Sequence, residues 1–178
     1  MVSPYQFNPL NYNPLRGIIE RVVDFDAVRS CESLQVFVAA TQVSTGRLRV
    51  FRNADISLDA LMASACLPTV FQAVEIDGEA YWDGGYMGNP SLFPLIVETP
   101  ADDLLLVQIN PLRRNDVPTD AASILDRVDE ITFNGSLIKE LRTVAMLQRL
   151  IREEGAACGN SLFARVATLY VHRLDGGE

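Results

Sequence analysis

One carboxylate stands between two aromatic residues and two glycines in the stretch Ala80-Tyr81-Trp82-Asp83-Gly84-Gly85-Tyr86-Met87-Gly88-Asn89-Pro90. Aromatic residues suit the end of a buried strand. Gly84 and Gly85 let the chain turn tightly and approach another backbone closely. Asp83 is therefore expected at a strand tip, partly screened from water, where it is placed to accept a proton. Asp-Gly is also ordinary turn chemistry, and the chain carries an example of it six residues earlier. Asp77-Gly78 lies between two short strand-like runs and reads as a two-residue hairpin turn. Asp83-Gly84-Gly85 leads into no second strand, so turn chemistry explains it less well. Asp83 is the candidate catalytic residue, with Gly84 and Gly85 in support.

An aspartate acting alone hydrolyses nothing. Metal ligation finds no support, because His172 is the only histidine and no carboxylate cluster has ligand spacing. Glycoside chemistry needs a second acid that the sequence does not single out. No G-x-G-x-x-G or G-x-x-x-x-G-K-[ST] run is present, so no nucleotide cofactor is expected. A nucleophile elbow, G-x-S-x-G, is also missing. Gly159-Asn160-Ser161-Leu162-Phe163 comes nearest but lacks the second glycine, and neither Ser64 nor Cys66 is flanked by glycines. Asp83 followed by His172 has the order of the acid and histidine in an α/β-hydrolase triad. His172, however, sits inside the strand-like Leu169-Tyr170-Val171-His172-Arg173, where a core or edge role is the simpler reading.

The elements that must position Asp83 follow from pattern. Residues 3–13 read as an ordered, irregular loop. Asn13-Pro14 starts a helix with an N-cap and proline at N1, with Leu15, Ile18, Ile19, Val22 and Val23 as its apolar stripe. Phe25 and Val28 extend into a short second helix. Residues 34–41 form a buried strand, paired through Ser44-Thr45-Gly46 with an alternating strand over 47–52 whose arginines face solvent. Ser57 caps a helix that Pro68 ends. Residues 71–82 hold the hairpin that leads to Asp83. Further on come a short helix over 91–96, a buried strand over 103–110 and a polar loop over 113–118. A helical pattern runs over 120–154, where Asn134-Gly135-Ser136 should kink or split it. A loop over 155–159 and a final strand over 164–173 complete the chain.

Length and composition frame these readings. With 178 residues, 48% hydrophobic and 21% charged, the chain is most simply one globular domain. A net charge of −8 repels a phosphate backbone, and no basic run is present, so nucleic acid is not an expected partner. Cys31, Cys66 and Cys158 lack C-x-x-C spacing and fit a reducing compartment. The N-terminal residues do not read as a signal peptide. A cytoplasmic location is the expectation.

Asp83-Gly84-Gly85 followed by Asn89-Pro90, behind Ala63-Ser64-Ala65-Cys66-Leu67-Pro68-Thr69-Val70-Phe71, resembles the patatin-like phospholipases. The stretch Ser3-Pro4-Tyr5-Gln6-Phe7-Asn8-Pro9-Leu10 is similar to bacterial members, and the resemblance runs through most of the chain. It implies an α/β fold with a mixed central sheet and helices on both faces. The family's glycine-rich oxyanion loop and G-x-S-x-G lie N-terminal to this region, and neither occurs here. Residues 1–178 are therefore expected to be the C-terminal portion of one such domain, incomplete on its N-terminal side, cut ahead of Ser3 and also open after Glu178. The implied activity is lipid acyl ester hydrolysis by a Ser-Asp dyad of which this chain supplies only Asp83, without metal or organic cofactor. The implied partner is a lipid or acyl ester, with room for peripheral membrane contact, and the chain by itself is expected to be inactive. A dyad has no imidazole, so the aspartate must take the serine proton itself. A free aspartate, with a pKa of ~3.9, is too weak a base unless desolvation raises it. Trp82, Tyr81 and Tyr86 are suited to excluding water. A non-enzymatic alternative is a degenerate homologue whose pocket binds acyl chains or a protein partner.

Overall fold

The computed structural model of the chain describes residues 2–154 and 162–175. The loop expected over 155–159, the near-elbow at Gly159-Asn160-Ser161 and Cys158 fall outside the described residues. Backbone contacts divide the chain into two compact units, Met1–Pro90 and Ser91–Glu178.

The first unit opens with a single turn, α1 (Pro4–Phe7), where an irregular loop is the sequence expectation. Asn8 closes the segment after it, because its side chain accepts from Tyr12 N and donates to Tyr12 O, both at 2.9 Å. Asn13 caps α2 (Pro14–Val22) by accepting from Leu15 N, and Asp24 caps α3 (Phe25–Ser30) by accepting from Ala27 N. Strands β1 (Phe37–Gln42) and β2 (Leu48–Arg52) form the expected hairpin, in antiparallel register Val38↔Phe51 and Ala40↔Arg49. After a 3₁₀ turn over Asn53–Asp55, Ser57 caps α4 (Leu58–Ser64). This helix stops four residues before Pro68, with Ser64 Oγ donating back to Leu61 O. Strands β3 (Val74–Ile76) and β4 (Glu79–Asp83) form the second hairpin, turning at Asp77 (φ 54°) and Gly78 (φ 78°). The four strands make one antiparallel sheet in the order β2-β1-β4-β3. Ala40, Phe51, Ile56, Ala60, Ala63 and Tyr81 form the core between this sheet and α4.

Arg49 departs from the expected solvent-facing position. Alternation puts it on the same face as the buried Phe51, and its register partner Ala40 leaves room above β1. Its guanidinium lies 4.5 Å from the Phe51 ring centroid. From there it donates to Tyr81 Oη at 2.9 Å and to Asp77 Oδ2 at 3.0 Å.

The second unit contains α5 (Phe93–Glu98), β5 (Asp103–Gln108), α6 (Ala121–Glu154), α7 (Leu162–Thr168) and β6 (Tyr170–Asp175). Strands β5 and β6 pair in parallel, with Leu104↔Val171 and Leu106↔Arg173 in register. Three expectations are corrected here. Helix α6 runs unbroken through Asn134-Gly135-Ser136. Asn134 is buried with its side chain turned to other segments, accepting from Gln108 Nε2 and donating to Pro111 O, so it does not compete for its own helix backbone. One glycine costs about 1 kcal/mol, which a long packed helix absorbs. Residues 162–168 are helical and the strand starts only at Tyr170, because Leu162, Val166 and Leu169 recur at helical spacing. Gln148 Nε2 then donates to the carbonyls of Val166, in the last turn of α7, and of Leu169, just after it. Finally, β5 alternates: Leu104 and Leu106 are buried while Leu105 and Val107 are exposed.

The chain is thus α/β with both antiparallel and parallel pairing, carried by two sheets among the described residues. No helix among the described residues is long and apolar enough to cross a membrane.

Candidate active site

Asp83 is the last residue of β4, and its main chain is fixed from two sides. Its N–H donates to Cys66 O at 2.8 Å, just beyond the C-terminal end of α4. Its carbonyl accepts from Thr41 Oγ1 of β1, also at 2.8 Å. With the Ala40↔Asp83 register, these bonds hold the strand end firmly. The carboxyl Oδ1 accepts the Gly85 N–H at 2.7 Å and so caps the 3₁₀ turn Gly84–Tyr86. Oδ2 takes no hydrogen bond from the described residues. Burial raises the pKa of this carboxyl, and the Gly85 N–H pulls it back in part.

The two glycines serve different ends. Gly84 is buried against β1, and a Cβ there would stand 2.1 Å from Ala39 O and 2.5 Å from Ala39 C. Nothing larger than glycine fits between those backbones. Gly84 O then accepts from Met87 N at 3.0 Å and Gly88 N at 2.8 Å, which bends the chain sharply away from the sheet. Gly85 supplies the N–H that orients the carboxyl. The Asn89–Pro90 peptide that follows is cis.

Among the described residues of the first unit, the other sequence candidates do not join Asp83. Burial pushes the Cys66 thiol up to about 11, and its Sγ donates to Gln72 O at 3.1 Å, so it is no thiolate nucleophile. Ser64 Oγ is engaged with Leu61 O. Tyr81 packs in the core, edge-on to Phe51 with centroids 6.1 Å apart, and so belongs to the sheet and not to a screen around the carboxyl. His172 Nε2 lies 2.9 Å from Asp103 Oδ1 on exposed strand positions of the second unit, so the carboxylate it meets is Asp103. No serine or cysteine side chain among the described residues bonds the Asp83 carboxyl.

Sequence reasoning missed Ala39, Thr41 and the Cys66 carbonyl as the groups that hold Asp83. A signal was present for two of them. Ala39-Ala40-Thr41 places two small residues and a hydroxyl at the end of an otherwise bulky apolar run, which marks a strand that another backbone approaches. The arrangement offers a rigid, partly desolvated carboxyl with one oxygen open, competent as a general base toward a hydroxyl brought within hydrogen-bond reach.

Comparison with known proteins gives one family. Residues 4–96 match the family model described as patatin-like phospholipase, just over half of the chain. The match includes Asp83, Gly84 and Gly85 and ends within α5. No curated protein matches the chain.

Proposed function

Because the chain belongs to the patatin-like phospholipase family, we propose that Asp83 is the proton acceptor of a Ser-Asp dyad that hydrolyses lipid acyl esters. The observation that carries this reading is the Asp83 carboxyl itself: backbone pinned, pKa raised by burial, Oδ2 unengaged by the described residues. The serine hydroxyl attacks the ester carbonyl while its proton passes to Oδ2, and the oxyanion of the tetrahedral intermediate is met by backbone donors. The protonated carboxyl then gives its proton to the departing alcohol. Water repeats the cycle on the acyl-serine: it gives its proton to Oδ2, and the serine takes one back as the fatty acid leaves. The Gly85 N–H holds the carboxyl in one rotamer throughout. Neither G-x-S-x-G nor a glycine-rich oxyanion loop occurs in the 178 residues. The serine and the oxyanion donors therefore come from a further segment, which would also complete a mixed central sheet.

Contact with a lipid aggregate falls to residues 2–15, which carry no charged side chain and expose Tyr5, Phe7, Leu10 and Tyr12.

The test is release of p-nitrophenol from an acyl ester. The chain alone should match its Asp83→Ala variant, both near background. Joined to a serine-bearing segment it should turn over, and Asp83→Asn should remove that turnover. Robust hydrolysis by the chain alone, insensitive to Asp83→Ala, would overturn the dyad.

A further inference from the structure

Helix α6 (Ala121–Glu154) is apolar on two sides. Its inner side carries Leu137, Leu141, Val144 and Ile151, which form or pack against the core of the second unit. At 3.6 residues per turn, Ile124, Val128 and Ile131 project from the opposite side. They are solvent-facing, Val128 being 51% and Ile131 56% exposed. Gly135 continues this outer stripe, and the exposed Arg142 and Met146 follow two and three turns further on. Gly135 has no explanation inside the chain. Its backbone is helical and not left-handed, and a Cβ there would meet nothing within 4 Å. Alanine would fit the position and favour the helix. A glycine on the outer side of a helix instead lets a second backbone approach closely. The exposed apolar residues beside it form the kind of surface that another protein covers.

Charge selects the occupant. Residues 121–134 carry Asp126, Asp129 and Glu130 against Arg127, a net charge of −2. Residues 136–149 carry Lys139, Arg142 and Arg149 against Glu140, a net charge of +2. Two copies of α6 laid antiparallel about Gly135 set the acidic half of each beside the basic half of the other, with their helix dipoles opposed. In that register Ile124 faces Met146, Val128 faces Arg142 and Ile131 faces Lys139. The Arg142 and Lys139 stems can lie along the apolar residues while their charges reach toward the acidic half. A parallel pair would set Arg142 against Arg142 and Lys139 against Lys139. We propose that the outer face of α6 is a homodimer surface, on which two copies of this chain pair antiparallel with a two-fold axis at Gly135. The face lies wholly beyond residues 4–96 that match the family, and the pairing does not rest on the reading of Asp83.

The full chain should self-associate in sedimentation equilibrium with a Kd of about 10 µM, since one helix face makes a small interface. Gly135→Leu fills the space between the backbones and should weaken association at least ~10-fold. At low protein concentration it should melt no lower than the parent, because leucine favours the helix. Arg142→Glu should weaken association about 3- to 10-fold. Disulfide trapping, read as linked peptides by mass spectrometry, fixes the direction. Gly135→Cys should link to itself. Val128→Cys should not, because the two copies of position 128 stand about 21 Å apart along the pair. Mixed with Arg142→Cys, it should link to that variant. A chain that stays monomeric at about 0.1 mM would overturn the pairing and leave the stripe to a different partner. So would a Gly135→Leu or Arg142→Glu variant that associates as tightly as the parent, or self-linking of Val128→Cys, which a parallel pair would give.

Discussion

Asp77-Gly78 and Asp83-Gly84 are the same dipeptide six residues apart, at the two ends of one strand. At the first, both residues have positive φ, 54° and 78°, and the Asp77 side chain is 74% exposed and paired with Arg49. A Cβ on Gly78 would meet nothing within 4 Å, so glycine is needed there for torsion alone. At the second, glycine is needed for space, since Ala39 O occupies the position a Cβ would take. The first pair answers to a local constraint that the turn satisfies by itself. The second answers to a tertiary constraint, the approach of two backbones, beside a carboxyl that is itself partly withdrawn from water. One dipeptide serves a turn or a site according to what lies across from it.

The two aspartates should differ most in catalysis. With a serine-bearing segment present, Asp83→Asn should lower ester hydrolysis by about 10²–10⁴-fold, the range for loss of a general base. Asp77→Asn should stay within about twofold. Equal small effects would return Asp83 to turn chemistry. The next largest contrast is in stability, measured by urea unfolding. Gly84→Ala sets a methyl against a backbone carbonyl that no rotamer change can relieve, and should cost about 3 kcal/mol. Gly78→Ala places alanine at positive φ in open space and should cost about 1 kcal/mol. Equal costs would mean that the β1–Gly84 approach is looser than its geometry indicates.

Much of this contrast was legible in the sequence, because it rests on local chemistry. The Asp77-Gly78 hairpin, the Asn13 and Ser57 caps and the β1–β2 hairpin all follow from turn and cap residues that act within a few positions. Asp83 stood out for the same reason: its two glycines had no following strand to explain them. What stayed hidden depends on partners distant in sequence. The run over 103–110 reads as a buried strand, yet hydrophobic residues alone do not decide whether a second layer covers Leu105 and Val107. Asn134-Gly135-Ser136 looks like a break until Gln108 and Pro111 engage the asparagine side chain. Residues 164–168 fit strand or helix equally by composition, and the Gln148 amide on the α7 carbonyls marks the helical outcome.

A smaller effect is expected at the exposed pair. Arg49 bridges the hairpin turn to the core by bonding both Asp77 and Tyr81. Tyr81→Phe keeps the ring against Phe51 and removes only the acceptor, so it should cost about 1 kcal/mol. Asp77→Asn weakens an exposed ion pair and should cost only a few tenths of a kcal/mol. If Asp77→Asn were the more costly of the two, Arg49 would be held by the turn and not by the core.

The smallest expected signal is the pH dependence of stability. Burial raises the Asp83 carboxyl above its unfolded value of ~3.9. Above the folded pKa the native state holds a partly desolvated charge that the unfolded chain solvates freely, so this carboxyl lowers stability there. As pH falls through the folded pKa the native state takes up its proton first, and stability returns, fully so below ~3.9. Asparagine at this position carries no charge at any pH, and its side-chain oxygen still accepts the Gly85 N–H. Asp83→Asn should therefore melt slightly above the parent at neutral pH, with the difference shrinking on acidification and gone below about pH 4. Asp77→Asn removes the same formal charge from an exposed site and controls for the relief of net charge. If the two variants gave the same trend with pH, overall charge and not burial would be the cause, and Asp83 would lose its claim to a raised pKa.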